Sequence, residues 1–335
     1  MKRHYYIIKG IVLLAAMLLA ACSSSDSDDS PAATSQNEIH LTTNVTSMPS
    51  GTRATTINST SALQGYDLKI DAYYHDTETK FLDGKTLHYD SGWKFWDTSA
   101  DAQEHYYWPF DGSTIAGSST VASTLDFVGF YPYDKPAYIG VGDPTYNHST
   151  GVSFTCDMSS YMTLAQQADM KEFIVSVLPN QTLATQTKAP GGALPMVFKH
   201  PFALIKFTIT AASGTHVKIN SIKLTGLKTA GTCTFDSSDM TWTGLTGSAD
   251  VTITQELKVG ETTETTPFIV IPNDYDPMFL TVNATWDDWS NTVTISNYGT
   301  NVDFNWESGH IYTYNLTLDK LGLKVVIENK YTEQW

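Results

Sequence analysis

The sequence predicts an all-β protein built as two β-sandwich halves, and three observations carry that prediction. Charged residues make up only 16% of the 335 positions, while Thr, Ser, Tyr and Val are abundant, a composition suited to half-buried strands. Short apolar runs recur with Gly, Pro, Asn and Asp between them, the spacing of many short strands joined by turns. Helical periodicity is confined to Ser159–Asp169, where Tyr161, Leu164, Ala165 and Ala168 share one face.

The chain opens with basic Lys2, Arg3 and Lys9, an apolar run from Ile11 to Leu19, and small residues leading to one cysteine. That is the arrangement of a secretory signal peptide, and its apolar run is too short for a permanent membrane span. Leu19-Ala20-Ala21-Cys22 resembles the bacterial lipobox, in which the cysteine is lipidated and becomes the first residue. Lipid on Cys22 would hold the protein to a membrane surface without a transmembrane helix. Residues 1–21 are therefore read as a lipoprotein signal peptide and 22–37 as an acidic Ser/Asp tether. The acidic serine run also resembles the surface-export signal of lipoproteins from Bacteroidetes-type bacteria, a reading compatible with a solvated linker.

Ile39, Leu41, Thr43 and Val45 alternate with His40, Thr42, Asn44 and Thr46, the period of a strand with one buried face. This strand is tied to the rest of the chain through Met48–Thr60, rich in Ser, Thr and Gly, so it is a strand that could be removed. Arg53 lies in that segment, and the only other arginine, Arg3, leaves with the signal. A cut between Arg53 and Ala54 by an arginine-specific protease would release the lipid and the strand together. Taken alone, Arg53 reads more simply as a surface residue in a lysine-biased chain.

Downstream, Tyr66–Tyr73 alternates as a strand, followed by Thr86–Asp90, Gly92–Trp96 and Tyr106–Trp108, the last stopped at Pro109. Leu125–Tyr131 and Glu172–Leu178 are further strands, closed by Pro132 and Pro179. Asn180–Gly192 has the composition of a linker, most clearly at Thr187–Gly192. The domain boundary is placed there, with one domain over 38–188 and a second over 189–335. In the second half, Pro201 separates Met196-Val197-Phe198 from Ala203–Ile209, and Val217–Leu224 alternates with a phase shift at Asn220-Ser221 that marks a bulge. Strands then follow at Thr232–Phe235, Ala249–Thr254, Pro267–Pro272, Met278–Trp286 and Thr292–Ser296. Two strands close the chain, with Tyr312, Tyr314, Leu316 and Leu318 on one face of the first. Leu323, Val325 and Ile327 share a face of the second.

The formal charge is -15, and removing Lys2, Arg3 and Lys9 makes it -15 - 3 = -18. Such a surface argues against nucleic acid as a partner. Beyond Cys22, Cys156 and Cys233 remain, either as a pair or as two small buried hydrophobes. Catalytic motifs are missing: there is no Gly-x-Ser-x-Gly elbow and no His-Glu-x-x-His. Gly84-Lys85-Thr86 has Thr79 where a phosphate loop needs glycine, and Glu307-Ser308-Gly309-His310 reads as a turn entering a strand rather than metal ligands. The residues predict no enzyme, no metal and no cofactor. Aromatics crowd the first half, among them Trp93, Trp96, Tyr106, Trp108, Phe127 and Tyr131; most read as core, and any that are exposed could stack on sugars.

Tyr107-Trp108-Pro109, Phe127–Pro132, Ala168-Asp169-Met170, Val197–Ala203, Ile222–Gly226 and Trp306–Tyr314 resemble, in order, the motifs of fimbrillin-family lipoproteins of Bacteroidetes. With the lipobox they cover nearly the whole chain; each is short, and the ordered set is far more specific than any one of them. The resemblance implies two tandem transthyretin-like Greek-key β-sandwich domains and a place in cell-surface fimbriae, the type V pili, at the outer membrane. It implies removal of the N-terminal strand of Ile39, Leu41 and Val45 by a trypsin-like protease after an arginine or lysine. It further implies filling of the exposed groove by the C-terminal strand of another fimbrial subunit, for which Leu323, Val325 and Ile327 are the candidate donor residues. The expected partners are other fimbrial subunits, the arginine-specific surface protease, the lipid anchor, and a host or bacterial surface ligand. An anchor or tip subunit that does not polymerise, or a surface lipoprotein binding glycans through exposed aromatics, is the alternative.

Overall fold

The computed structural model describes residues 37–45, 57, 59–109, 123–132, 140–168, 173–211, 217–253, 257–259, 262–275, 278–286, 289–296, 303–318 and 325–334. Strands dominate, as the composition requires. The first half holds β1 (Leu41–Val45), β2 (Leu68–Tyr74), β3 (Lys80–Tyr89), β4 (Trp93–Asp97) and β5 (Ala102–Gln103). It continues with β6 (Leu125–Tyr131), β7 (Thr145–Asn147), β8 (Gly151–Asp157) and β9 (Ile174–Gln181). Then come β10 (Leu194–Phe198), β11 (Ala203–Ala211), β12 (Val217–Leu227), β13 (Ala230–Phe235), β14 (Met240–Thr246) and β15 (Ala249–Ile253). The chain closes with β16 (Leu257–Val259), β17 (Thr263–Glu264), β18 (Phe268–Val270), β19 (Phe279–Trp286), β20 (Trp289–Ser296), β21 (His310–Leu318) and β22 (Val325–Gln334).

Among the described residues three short α-helices interrupt the strands: α1 (Thr60–Leu63), α2 (Leu164–Ala168) and α3 (Leu183–Lys188). Helix α2 falls inside the predicted Ser159–Asp169 stretch but spans only five residues. No described helix is long and apolar enough to cross a membrane. The linker-like Asn180–Gly192 instead contains α3, whose polar residues serve the helix end: Thr182 accepts from the Thr185 amide while the Thr185 hydroxyl receives the Thr182 amide.

Residues Ile39–Trp335 form one compact unit whose strands make layered sheets. A six-stranded sheet runs β5-β4-β3-β2-β6-β9, and its strand β6 is buried at every residue, so both faces of that sheet are covered. Over one face lies the parallel pair β1 and β10. Leu68, Ile70, Phe127 and Ile174 of the sheet form a core there with Leu41, Val45, Met196 and Phe198. The close approach needs Gly129: a Cβ at that position would sit 2.7 Å from the Phe198 ring and 2.9 Å from the Met196 methyl.

Val128, Phe130, Val175 and Val177 of the same sheet belong to a second, larger core. That core takes in Val152 and Phe154 of β8, Cys233 and Phe235 of β13, and the inner residues of β11, β12, β19 and β21. Strands β7 and β8 from the first half and β13 and β14 from the second make one four-stranded sheet, β14-β13-β8-β7. Strand pairing therefore runs across residue 189. The remaining sheets are β17-β11-β21-β22, with β18 also on β11, and β15-β12-β19-β20, with β16 also on β12.

The phase shift expected at Asn220-Ser221 is a bulge: the β12–β19 register slips between Ile219 and Ser221. The Asn220 amide donates to Asn283 Oδ1 and Thr285 Oγ1, both at 2.8 Å, so the extra residue is bonded rather than wasted. In the Trp306–Tyr314 motif, Trp306 Nε1 donates to Tyr314 OH at 2.7 Å, and Tyr314 OH donates to the Asp303 carbonyl at 2.9 Å. These hydrogen bonds satisfy polar tips inside the core, and Glu307–His310 is the turn leading into β21.

Cys156 and Cys233 are buried thiols rather than a disulfide. Across β8 and β13, Cys156 faces Gly231 and Cys233 faces Phe154, which makes the two cysteines diagonal neighbours. Diagonal pairs lie about 7–8 Å apart, whereas a disulfide needs Cβ atoms about 3.8 Å apart. Burial pushes the Cys233 thiol up to about 12 and raises Cys156 as well, so both behave as small hydrophobes.

Candidate functional site

Strand β1 is the element on which the candidate site is built. Ile39, Leu41 and Val45 are 2%, 3% and 2% exposed, so the predicted apolar face is the buried one. Each such side chain contributes roughly 1.5–3 kcal/mol, an upper figure because the unfolded chain already buries part of it. All three belong to the smaller core, and the larger core contains no residue of β1. Taking β1 away would therefore open one face of the six-stranded sheet and leave the larger core closed.

Among the described residues β1 pairs with β10 alone, in parallel, with Leu41 beside Leu194, Thr43 beside Met196 and Val45 beside Phe198. The alternation of β10 matches, since Leu194, Met196 and Phe198 are buried while Val197 is 39% exposed. A few further bonds pin the strand. The Ile39 amide donates to the Tyr106 carbonyl at 2.7 Å, and the Leu194 amide to the His40 carbonyl at 2.9 Å. Thr60 Oγ1 at the start of α1 donates to Asn44 Oδ1 at 2.6 Å.

Gln186 of α3 forms a clamp at the start of this strand. Its Oε1 accepts from the His40 amide at 3.1 Å and from the Trp108 indole at 3.0 Å. Tyr106–Trp108, predicted as a strand, is instead a connection that sends the 1% exposed Trp108 into the core against Phe127. One inward residue of β1 is polar: Thr43 is 4% exposed, and its hydroxyl has no hydrogen-bond partner among the described residues. Burying such a group costs about 1–3 kcal/mol.

The linker's downstream end is fixed by His200. Its Nε2 donates to the Ile57 carbonyl at 3.1 Å, and complete burial depresses its pKa from 6.5 to about 3. Between those values the unfolded chain binds a proton that the folded chain refuses, so this contribution to stability is whole above pH 6.5 and lost as pH falls toward 3. At pH 5 the expected loss relative to pH 7 is about 2 kcal/mol. Urea unfolding at both pH values should show a steeper drop for the native chain than for His200→Gln, and parallel curves would refute this role.

Ile39, Leu41 and Val45 are thus brought together against Leu194, Met196 and Phe198. Cys22, Arg53, Ala54 and Leu323 lie outside the described residues. Val325 and Ile327 sit on β22, opposite Leu318 and Leu316, and among the described residues β22 is the last strand of its sheet, paired with β21 alone. Sequence reasoning put Thr43 on the buried face of the strand without giving it a role, and missed Gln186, Trp108 and Gly129 as parts of the site. The polarity of Thr43 within an apolar face was the one signal available. Among the described residues no three His, Cys, Asp or Glu side chains gather as a metal-ligand set.

Comparison with known proteins adds the family. No curated protein matches the sequence. Among solved structures, a fimbrial protein from Bacteroides vulgatus aligns with a TM-score of 0.54 at 15% identity, covering 89% of this chain and 99% of its own. That likeness shows a shared fold. A candidate cell adhesion protein from Bacteroides uniformis aligns with a TM-score of 0.48 at 18% identity, over 89% of this chain and 98% of its own. The tip fimbrial protein Mfa3 from Porphyromonas gingivalis, truncated at its C-terminus, aligns with a TM-score of 0.38 at 11% identity, over 81% and 94% of the two chains. The fimbrillin-like family profile matches residues 52–335, beginning one residue before Arg53, and the chain belongs to that family.

Proposed function

We propose that this chain is a structural subunit of a cell-surface fimbria that polymerises by exchanging one strand for another. In this reading Cys22 is lipidated, the protein is exported to the outer-membrane surface, and cleavage after Arg53 frees β1. The C-terminal strand of another copy, carrying Leu323, Val325 and Ile327, then enters the groove. The two sandwich domains over 38–188 and 189–335 are part of the same reading.

The observation that carries it is the position of β1. Among the described residues the strand is buried on one face, pairs with a single strand, and belongs only to the smaller core. An empty groove would expose apolar side chains and the free edge of β10, which a new alternating strand restores. Membership of the fimbrillin-like family supports the same assignment.

Mass spectrometry of the protein from surface filaments and from membranes tests it. The expected result is a mature start at Ala54 in SDS-resistant ladders. A lipidated start at Cys22 without ladders would instead assign an anchor that keeps its first strand.

A second reading, glycan binding, has one observation in its favour. Beside β1 an open depression of about 500 Å³ is lined by His40, Thr42, Thr60, Gln64, Tyr89 and Trp93. The Tyr89 and Trp93 rings lie 5.4 Å apart there, edge-on at 69° rather than coplanar, and a single such ring can stack on a sugar.

A further inference from the structure

Thr43 is the only polar side chain on the inward face of β1, between Leu41 and Val45 and beside Met196. Its hydroxyl is enclosed without a partner among the described residues, an arrangement that valine, of the same shape, would avoid. The C-terminal segment carries Leu321, Leu323, Val325 and Ile327 at alternate positions. Whichever of these four sits beside Met196, the residue replacing Thr43 is apolar. Once β1 leaves, the Thr43 hydroxyl is hydrated, and the incoming strand buries no equivalent group.

We propose that Thr43 marks β1 as a placeholder: the buried, unpartnered hydroxyl weakens its hold on the groove and biases replacement by the C-terminal strand in the forward direction. This inference rests on the strand-exchange reading. The bias corresponds to roughly tenfold in the exchange equilibrium. It also accounts for a polar residue on a face of β1 that is otherwise aliphatic.

The test uses unlipidated protein, residues 22–335, cut after Arg53 with an arginine-specific protease so that β1 is held without a covalent link. A fluorescent peptide of residues 321–335 is added, and release of β1 is followed by anisotropy and mass spectrometry. Thr43→Val should slow release about tenfold and raise the melting temperature of the uncut chain, whereas Thr43→Ser, which keeps the hydroxyl, should not slow release. Equal release from the native and Thr43→Val proteins, with the peptide binding both, overturns the role of Thr43 and leaves strand exchange standing. Resistance of Arg53 to the protease, or failure of the peptide to enter either protein, overturns strand exchange itself and this inference with it.

Discussion

A chain lacking Leu321–Trp335 is expected to form no SDS-resistant filaments while remaining folded. The deletion removes β22, which among the described residues is the last strand of its sheet and pairs only with β21. Strand β21 keeps its parallel partner β11 over eight registered positions, and Ile311, Tyr312, Tyr314 and Leu316 stay in the larger core. Loss of an edge strand therefore costs stability without dismantling the sheet. Polymerisation, by contrast, loses every apolar residue proposed to enter the groove. Each is worth roughly 1.5–3 kcal/mol per joint before the strand's hydrogen bonds are added, so the expected effect is complete loss of ladders. Near-UV circular dichroism checks the fold of the truncated chain, and unimpaired ladders from it would reject the donor assignment.

Trp108→Ala should be the most damaging single substitution at the site. The side chain is 1% exposed, packs edge-on against Phe127 with ring centroids 6.0 Å apart, and donates to Gln186 at 3.0 Å. Truncation leaves a large cavity and an acceptor without its indole, which together cost about 3–5 kcal/mol. Because Gln186 also holds the His40 amide, β1 should be released faster after cleavage at Arg53. Trp108→Phe separates the two effects: it keeps most of the apolar contact and loses only the hydrogen bond, about 1–3 kcal/mol. Urea midpoints for both variants, with strand retention after cutting, give the measurement. A Trp108→Ala protein as stable as the native chain would show that the clamp is ornamental.

Much of this was legible in the residues where a strand has one wet and one dry face, as β1, β10 and β13 do. The alternation at Ile39, Leu41 and Val45 reports its own orientation, whereas Met196-Val197-Phe198 read as an apolar run, and only burial shows that β10 alternates. Strand β6 is buried throughout, so its apolar run marked a strand but not what lies on either side. The bulge at Asn220 was visible as a broken period, and the ordered motifs resembled the family that the comparison shows. The linker-like composition of 180–192 concealed α3, because the threonines that cap a helix are also loop residues.

By itself, then, the sequence determined many of the strands, though not β7, β8 or β14, and with them the apolar face of β1, the single arginine behind it and the family motifs, because these depend on local period and residue type. Only the tertiary structure decided that β1 lies parallel to β10, that Gln186 holds a strand 146 residues away, and that Thr43 is enclosed without a partner. It also decided that β8 pairs with β13 across the middle of the chain. Long-range pairing leaves no local signal: a strand's own residues specify which face seeks burial, and the partner is selected by the rest of the chain once both are folded.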